Sequence, residues 1–449
     1  MQLTTTISET AIDSHKDTSG IGGHPKGLTT LFFTEMWERF SYYGMRALLL
    51  LYMVAPIAGG GLEFDVVKAT SIYGTYTSAV YFTTLFGGWL ADKFLGARLA
   101  VLLGGIVIAS GHFAMVVPSL PFFYTGLVLI ALGTGLLKPN ISTMVGGLYG
   151  ADDPRRDSGF SLFYMGINLG AMIAPIICGY LGQRINWHLG FGAAGVGMLL
   201  GLVQFTLHRK RLAHVGARPA PKKTTSQETV KQPLTKLEKR RIAIVFMLYF
   251  FSIIFWMAFE QSGSSFALFA QNHTRTQLFG FEFPSAWFQS VNSIFILTLA
   301  PVFSVLWLRL KDKQPSSPAK FSFGLLFVGL GMGVIAIAAS FTGSGKVSPL
   351  WLIAVFFIHT LGELCLSPVG LSTVSKLAPV RMVGLMMGLW FLATSIGNYL
   401  AGQVAGFYQD DSGVLFRLFG GLAIVTIIGS IALALLLPFI RKLTEQKAS

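Results

Sequence analysis

Charge is scarce in this chain: Asp, Glu, Lys and Arg together make up 12% of its 449 residues, about half the share of a soluble domain. Cysteine is nearly absent, and Cys178 and Cys365 lie in apolar runs far apart in sequence. That spacing supports neither a disulfide framework nor a cysteine-based metal site. The scattered His and Cys form no nucleophile or metal constellation, so the sequence does not read as an enzyme and implies no cofactor and no metal. Residues 1–27 are polar and rich in Ser, Thr and Gly, without the apolar core of a cleavable leader; they are expected to form a cytoplasmic tail. The net charge of +14 does not point to nucleic acid, because the basic residues fall in loops between apolar stretches.

What is present is apolar. Hydrophobic residues make up 53% of the chain, with 38 Phe. A hydrocarbon core about 30 Å thick needs roughly 20 helical residues. Twelve stretches of suitable length are expected: Leu28–Ala55, Val66–Ala91, Ala97–Val116, Leu120–Leu148, Asp157–Leu181, Trp187–His208, Ile242–Ala270, Ser285–Leu310, Phe321–Phe341, Leu350–Lys376, Met382–Tyr408 and Val414–Phe439. Lys and Arg crowd one set of connections, among them Lys93, Arg98, Arg155, Arg156, the run from Arg209 to Arg241, Lys311, Lys313, Arg381 and Arg441. The other set holds Arg184, Arg275 and Lys346. Positive charge marks the cytoplasmic side, so both termini are expected there, in a multi-pass protein of the cell (inner) membrane.

The one long polar stretch, 209–241, contains Pro219, Pro221 and Pro233 among Lys, Thr and Gln and separates two sets of six helices. The expected organisation is a tail (1–27), a six-helix bundle (28–208), a cytoplasmic linker (209–241), a second bundle (242–439) and a short tail (440–449). This all-α layout resembles the major facilitator superfamily, in which two six-helix bundles rock about a midplane site. Gly88-Trp89-Leu90-Ala91-Asp92-Lys93-Phe94-Leu95-Gly96-Ala97-Arg98 also resembles that superfamily's loop motif between helices two and three.

Ionisable groups at bilayer depth cost several kcal/mol unless paired or wet. Helix one nevertheless contains Glu35, Glu38, Arg39 and Arg46. Glu35, Arg39, Tyr42 and Arg46 share a helical face, and Glu35 and Arg39 are spaced to pair. Either carboxylate can neutralise the guanidinium or take a proton, according to whether Arg39 holds another anion. Lys138 stands in Gly133-Thr134-Gly135-Leu136-Leu137-Lys138-Pro139-Asn140. That run lacks the Gly-Lys-Ser/Thr ending and preceding strand of a phosphate loop. Pro139 and the glycines instead open room for a cation that can bind a carboxylate. Glu260 and Glu363 lie in apolar surroundings in the second half, and Arg46 and Lys138 are their candidate partners in a gate. Asn168, Asn292, Tyr42, Tyr43, Tyr81 and Trp390 complete a set able to hold an ammonium group and line side-chain pockets.

These residues resemble the proton-dependent oligopeptide transporter family. The run Glu35-Met36-Trp37-Glu38-Arg39-Phe40-Ser41-Tyr42-Tyr43-Gly44 is similar to the family's helix-one signature, and Phe163-Tyr164-Met165-Gly166-Ile167-Asn168-Leu169-Gly170 to its helix-five signature. Phe259-Glu260-Gln261, Gly362-Glu363 and Ser367-Pro368 fit as well. The resemblance implies a proton-coupled importer of di- and tripeptides working by alternating access. It implies that Arg39, Lys138 and Tyr43 hold the peptide carboxylate, and that Asn168, Asn292 and Glu363 hold its amino terminus. Tyr81 and Trp390 would line pockets, Glu35, Glu38 and Glu260 would handle protons, and Arg46 would pair with Glu260. Two departures stand out. The stretch 209–241 is too polar to supply the two extra helices of many bacterial members, and Gly74 occupies the place of a His found in animal relatives. His359, one turn before Glu363, reads as a packed histidine. Other readings are a carrier of another anion, such as nitrate or a carboxylate metabolite, and a peptide-sensing receptor.

Overall fold

The computed structural model describes residues 17–150, 152–218, 234–278 and 280–445. Among them are twelve long helices: α1 Lys26–Val54, α2 Val66–Leu90, α3 Ala97–Ala114, α4 Leu120–Gly147, α5 Arg156–Tyr180, α6 Trp187–Leu207, α7 Lys236–Phe259, α8 Gln289–Leu310, α9 Ser317–Ser340, α10 Pro349–Leu377, α11 Val383–Ala405 and α12 Ser412–Glu445. Ten of these segments are long and apolar enough to cross a bilayer by composition alone. The other two are α1, diluted by its internal charges, and α2, diluted by Thr, Tyr, Ser and Gly. Phe86, Val128, Ile424 and Leu435 are all more than half exposed, as suits side chains that meet lipid tails rather than water.

Helix ends follow local chemistry. Helix α6 opens on Asn186, whose side chain accepts from the His188 amide at 2.9 Å. Helix α7 opens on a reciprocal box in which Thr235 Oγ accepts from the Glu238 amide at 3.1 Å and Glu238 accepts from the Thr235 amide at 2.8 Å. The helix therefore begins at Lys236, and the basic residues up to Arg241, read as linker from the sequence, form its first turns. Much of the linker, residues 219–233, lies outside the described residues. The expected seventh helix, Ile242–Ala270, is interrupted. A tight turn at Glu260–Gly263 separates α7 from a short helix, Ser265–Asn272, because Ser262, Gly263 and Ser264 hold a helix weakly. A two-residue hairpin, Gln277–Leu278 with Phe281–Glu282, follows.

The chain divides into two compact units. Unit 1 comprises Met1–Leu49 and Ala79–Thr225. In it α3 and α4 approach at glycines: a Cβ on Gly133 would lie 2.6 Å from the Gly104 carbonyl oxygen, and one on Gly111 would lie 2.8 Å from the Gly126 oxygen. Without a water-driven force between helices in lipid, such close backbone contact supplies the attraction. Gly44 similarly seats Cys178 of α5 against α1.

Unit 2 comprises Leu50–Ser78 and Ser226–Ser449. It contains the first half of α2, residues 66–78, which packs on α11. A Cβ on Gly74 would lie 2.7 Å from Gly402 Cα, so the two helices touch backbone to backbone. Ser78 Oγ and Ser395 Oγ stand 2.8 Å apart, and Gln403 Nε2 donates to Ser71 Oγ at 3.3 Å. These contacts assign part of the expected first six helices to the second packing unit. Elsewhere in unit 2, Ser430 Oγ of α12 donates to the Ser322 carbonyl of α9 at 2.7 Å, and Gly324 meets Gly362 between α9 and α10.

Candidate functional site

In unit 1 the charged face of α1 is buried: Glu35 is 2% exposed, Glu38 0% and Arg39 3%. Arg39 Nη2 donates to Glu38 Oε1 at 2.6 Å, and its Nε donates to Glu38 Oε2. The same Nε lies 3.3 Å from Glu35 Oε1. One guanidinium thus faces two carboxylates, a cluster carrying one negative charge when both acids are ionised and none when one holds a proton. Glu35 Oε2 is buried without a hydrogen-bond partner. A bare carboxylate oxygen in that setting is costly.

The aromatic residues of α1 organise the cations. Arg39 lies over the Tyr42 ring at 5.2 Å, Arg46 over the Tyr43 ring at 5.9 Å, and the two tyrosines meet edge to face at 5.2 Å. Tyr42 is buried and Tyr43 half-buried. On the neighbouring helices Lys138 Nζ of α4 stands 4.0 Å over the Tyr81 ring of α2, a cation held by a π face. Asn168 is buried on α5, its Nδ2 donating to the Tyr164 carbonyl at 3.0 Å. Its side-chain oxygen is the acceptor left to offer a ligand.

Unit 2 holds the second cluster. Asn292 Nδ2 of α8 donates to Glu363 Oε2 at 3.1 Å and to Thr360 Oγ at 3.0 Å. Thr360 Oγ in turn donates to the Phe356 carbonyl at 2.7 Å. This chain fixes the Asn292 amide and aims one Glu363 oxygen. Thr360 was not singled out from the sequence; its signal is its place one turn before Glu363 on α10. Glu260, 4% exposed, opens the turn that breaks α7, next to Gln261, whose Nε2 donates to the Ala401 carbonyl at 3.0 Å. Trp390 is buried against Tyr249 and Phe321, with Gly370 leaving room beneath its indole. His359 lies between the rings of Phe259 and Phe266, at 5.9 and 5.6 Å, and packs as an aromatic.

Two carboxylate clusters on apolar helices, a buried one built round an arginine and a half-buried one built round an asparagine, are the features to compare with known proteins. A family model described as the POT family matches residues 98–230 and 222–418. The chain belongs to the POT family. The match begins after the helix-one signature, but related POT-family sequences cover that region too. The chain is 40% identical to peptide transporter YePEPT of Yersinia enterocolitica, over 94% of this chain and 95% of that protein. It is 36% identical to a di-/tripeptide transporter of Lactococcus lactis, over 93% and 96%. It is 43% identical to the uncharacterized transporter YclF of Bacillus subtilis, over 94% and 96%. Among solved structures, a peptide transporter POT in complex with sulfate superposes with a TM-score of 0.91 at 39% identity, covering 97% of this chain and 99% of that one. A point variant of a peptide transporter POT in complex with alafosfalin gives 0.91 and 39%, over 98% and 99%. The fold of this POT-family chain is thus the twelve-helix major facilitator type.

Proposed function

We propose that this protein is a proton-coupled symporter that imports di- and tripeptides across the bacterial inner membrane, with both termini in the cytoplasm. The observation that carries the proposal is the Glu35–Glu38–Arg39 cluster on α1. It contains one more acid than base and a buried carboxylate oxygen without a partner. A substrate carboxylate that takes Arg39 and Lys138 withdraws the cations that act on the two acids, so a proton must accompany it; this links the two cargoes by charge balance.

Substrate identity rests on complementary charge. Arg39, Lys138 and Tyr43, in unit 1, serve the peptide carboxylate. Glu363 and Asn292, in unit 2, serve its ammonium group, with the Asn168 oxygen as a further acceptor. Tyr42, Tyr81 and Trp390 supply apolar walls that tolerate different side chains. Glu260 is proposed as a third proton-handling acid, with Arg46 and Lys138 as counter-ions of Glu260 and Glu363 in one stage of the cycle. The peptide-transporter descriptions of the relatives from Yersinia and Lactococcus support the substrate class.

The test is uptake of a labelled dipeptide by proteoliposomes under an inward proton gradient. Accumulation above the outside concentration, abolished by a protonophore, is expected. Equilibration without accumulation would refute the coupling. Preference for an inorganic or simple organic anion over dipeptides would refute the substrate.

A further inference from the structure

A cavity of about 390 Å³ lies at the end of unit 1 where α2 turns into α3 and where α6 ends. It is lined by Arg98, Arg209 and Arg218 together with Leu99, Leu102 and Phe205, and no acidic residue among the described ones lines it. The segment after α6 builds one wall. Arg98 Nη2 donates to the carbonyls of Ala213 at 2.8 Å and Val215 at 2.9 Å, and the Arg98 amide donates to the Gly216 carbonyl at 3.0 Å. Gly96, at φ +76°, lets residues 217–218 lie against it; a Cβ there would come within 2.5 Å of the Ala217 oxygen. The wall is therefore held in place.

An apolar track leads away from the cavity along α3. On α6 the exposed Leu199, Val203 and Leu207 lie on another face of the helix and do not line the cavity. Leu99, Leu102 and Ile106 follow α3, and the two helices are in contact where Gly105 meets Leu202. Arginines at a helix end, continuous with an apolar track along α3, complement a molecule with an anionic head and hydrocarbon tails.

We propose that this cavity is a binding site for one anionic phospholipid of the adjoining leaflet. Its phosphate sits among Arg98, Arg209 and Arg218, and its acyl chains lie along α3. The planar forks of Arg209 and Arg218 can grip phosphate oxygens in pairs, while Arg98, whose Nε and Nη2 donate to the Val215 and Ala213 carbonyls, adds its charge. The lipid ties the start of the linker to the base of unit 1. Inorganic phosphate has the same head chemistry but leaves the apolar track unused.

The full-length protein in detergent is titrated with phosphatidylglycerol, with phosphatidylcholine of the same chains, and with inorganic phosphate, and bound lipid is counted by native mass spectrometry. Tighter retention of phosphatidylglycerol than of phosphatidylcholine is expected. Neutralising one surface arginine weakens such binding about fivefold, so the exposed pair Arg209→Gln/Arg218→Gln should lose about 25-fold. Lys311→Gln/Lys313→Gln, with the same change in net charge at another loop, should retain the preference. Equal binding of the two lipids, an unchanged preference in the arginine pair variant, equal loss in the lysine pair variant, or displacement of lipid by millimolar phosphate would each overturn the proposal.

Discussion

Replacing Glu363 by Gln isolates the charge from the shape of the unit 2 cluster. The amide oxygen of Gln can accept from Asn292 Nδ2 as the carboxylate does at 3.1 Å, and the link from Asn292 to Thr360 at 3.0 Å is untouched. Only the negative charge is lost. A hydrogen bond to an ionised partner contributes about 1.5–3 kcal/mol, which corresponds to about 10- to 150-fold in kcat/KM. The loss applies to substrates with a free ammonium group and not to N-acetylated dipeptides, so the readout is the ratio between the two. Competition of dialanine and N-acetyl-dialanine against a labelled dipeptide in proteoliposomes gives that ratio directly. Glu363→Ala should cost more for both, because Asn292 then loses one acceptor in a half-buried setting. If Glu363→Gln keeps the wild-type preference for the free amine, this acid does not hold the amino terminus.

Arg39→Lys should fold but transport at least about 100-fold more slowly, since one ammonium cannot reproduce the paired contact with Glu38 while facing Glu35; dipeptide uptake measures it. Replacing Ser78 and Ser395 by cysteine, with Cys178 and Cys365 removed, should give a cross-link between α2 and α11, because the two hydroxyl oxygens are 2.8 Å apart. Uptake should stop on oxidation and return on reduction if this contact opens during transport; undiminished uptake by the cross-linked protein would refute that. At the start of α1, His24 Nδ1 lies 2.8 Å from the Tyr149 hydroxyl, and burial followed by the charge of Arg155 lowers the His24 pKa below its usual 6.5. A depressed histidine stabilises the fold above its unfolded value and loses that contribution as pH falls. Amide-exchange protection of residues 20–24 should therefore weaken below pH of about 6.5 and should become independent of pH in His24→Phe.

The pairing of Glu35 with Arg39 was legible because residues four apart share a helix face. The bond between Glu38 and Arg39 was expected only as one of two options, and the sequence did not say which carboxylate takes the paired contact. Adjacent positions diverge round a helix, and only the length and flexibility of the two side chains bring the fork onto the carboxylate. The beginning of α7 was concealed by its basic first turns, although Thr235 and Glu238 carry the spacing of a capping box. The break at Glu260 was hidden by the apolar residues flanking it, while the Ser-Gly-Ser run at 262–264 was its signal. The contact of Gly74 with Gly402 depends on two helices far apart in sequence, and one sequence alone contains no term that joins them. Asn292, Thr360 and Glu363 show the same limit: the spacing within α10 is readable, but the crossing of α8 that completes the cluster is not.

The central claim is that the spare acid on α1 couples proton to peptide. It is tested most directly by recording lumenal pH and labelled dipeptide together in the same proteoliposomes, for the wild type and for Glu35→Gln. The wild type should acidify the lumen in step with peptide entry and accumulate peptide, while Glu35→Gln should exchange peptide across the membrane without acidification or accumulation. Acidification and accumulation at wild-type level in Glu35→Gln would contradict the account.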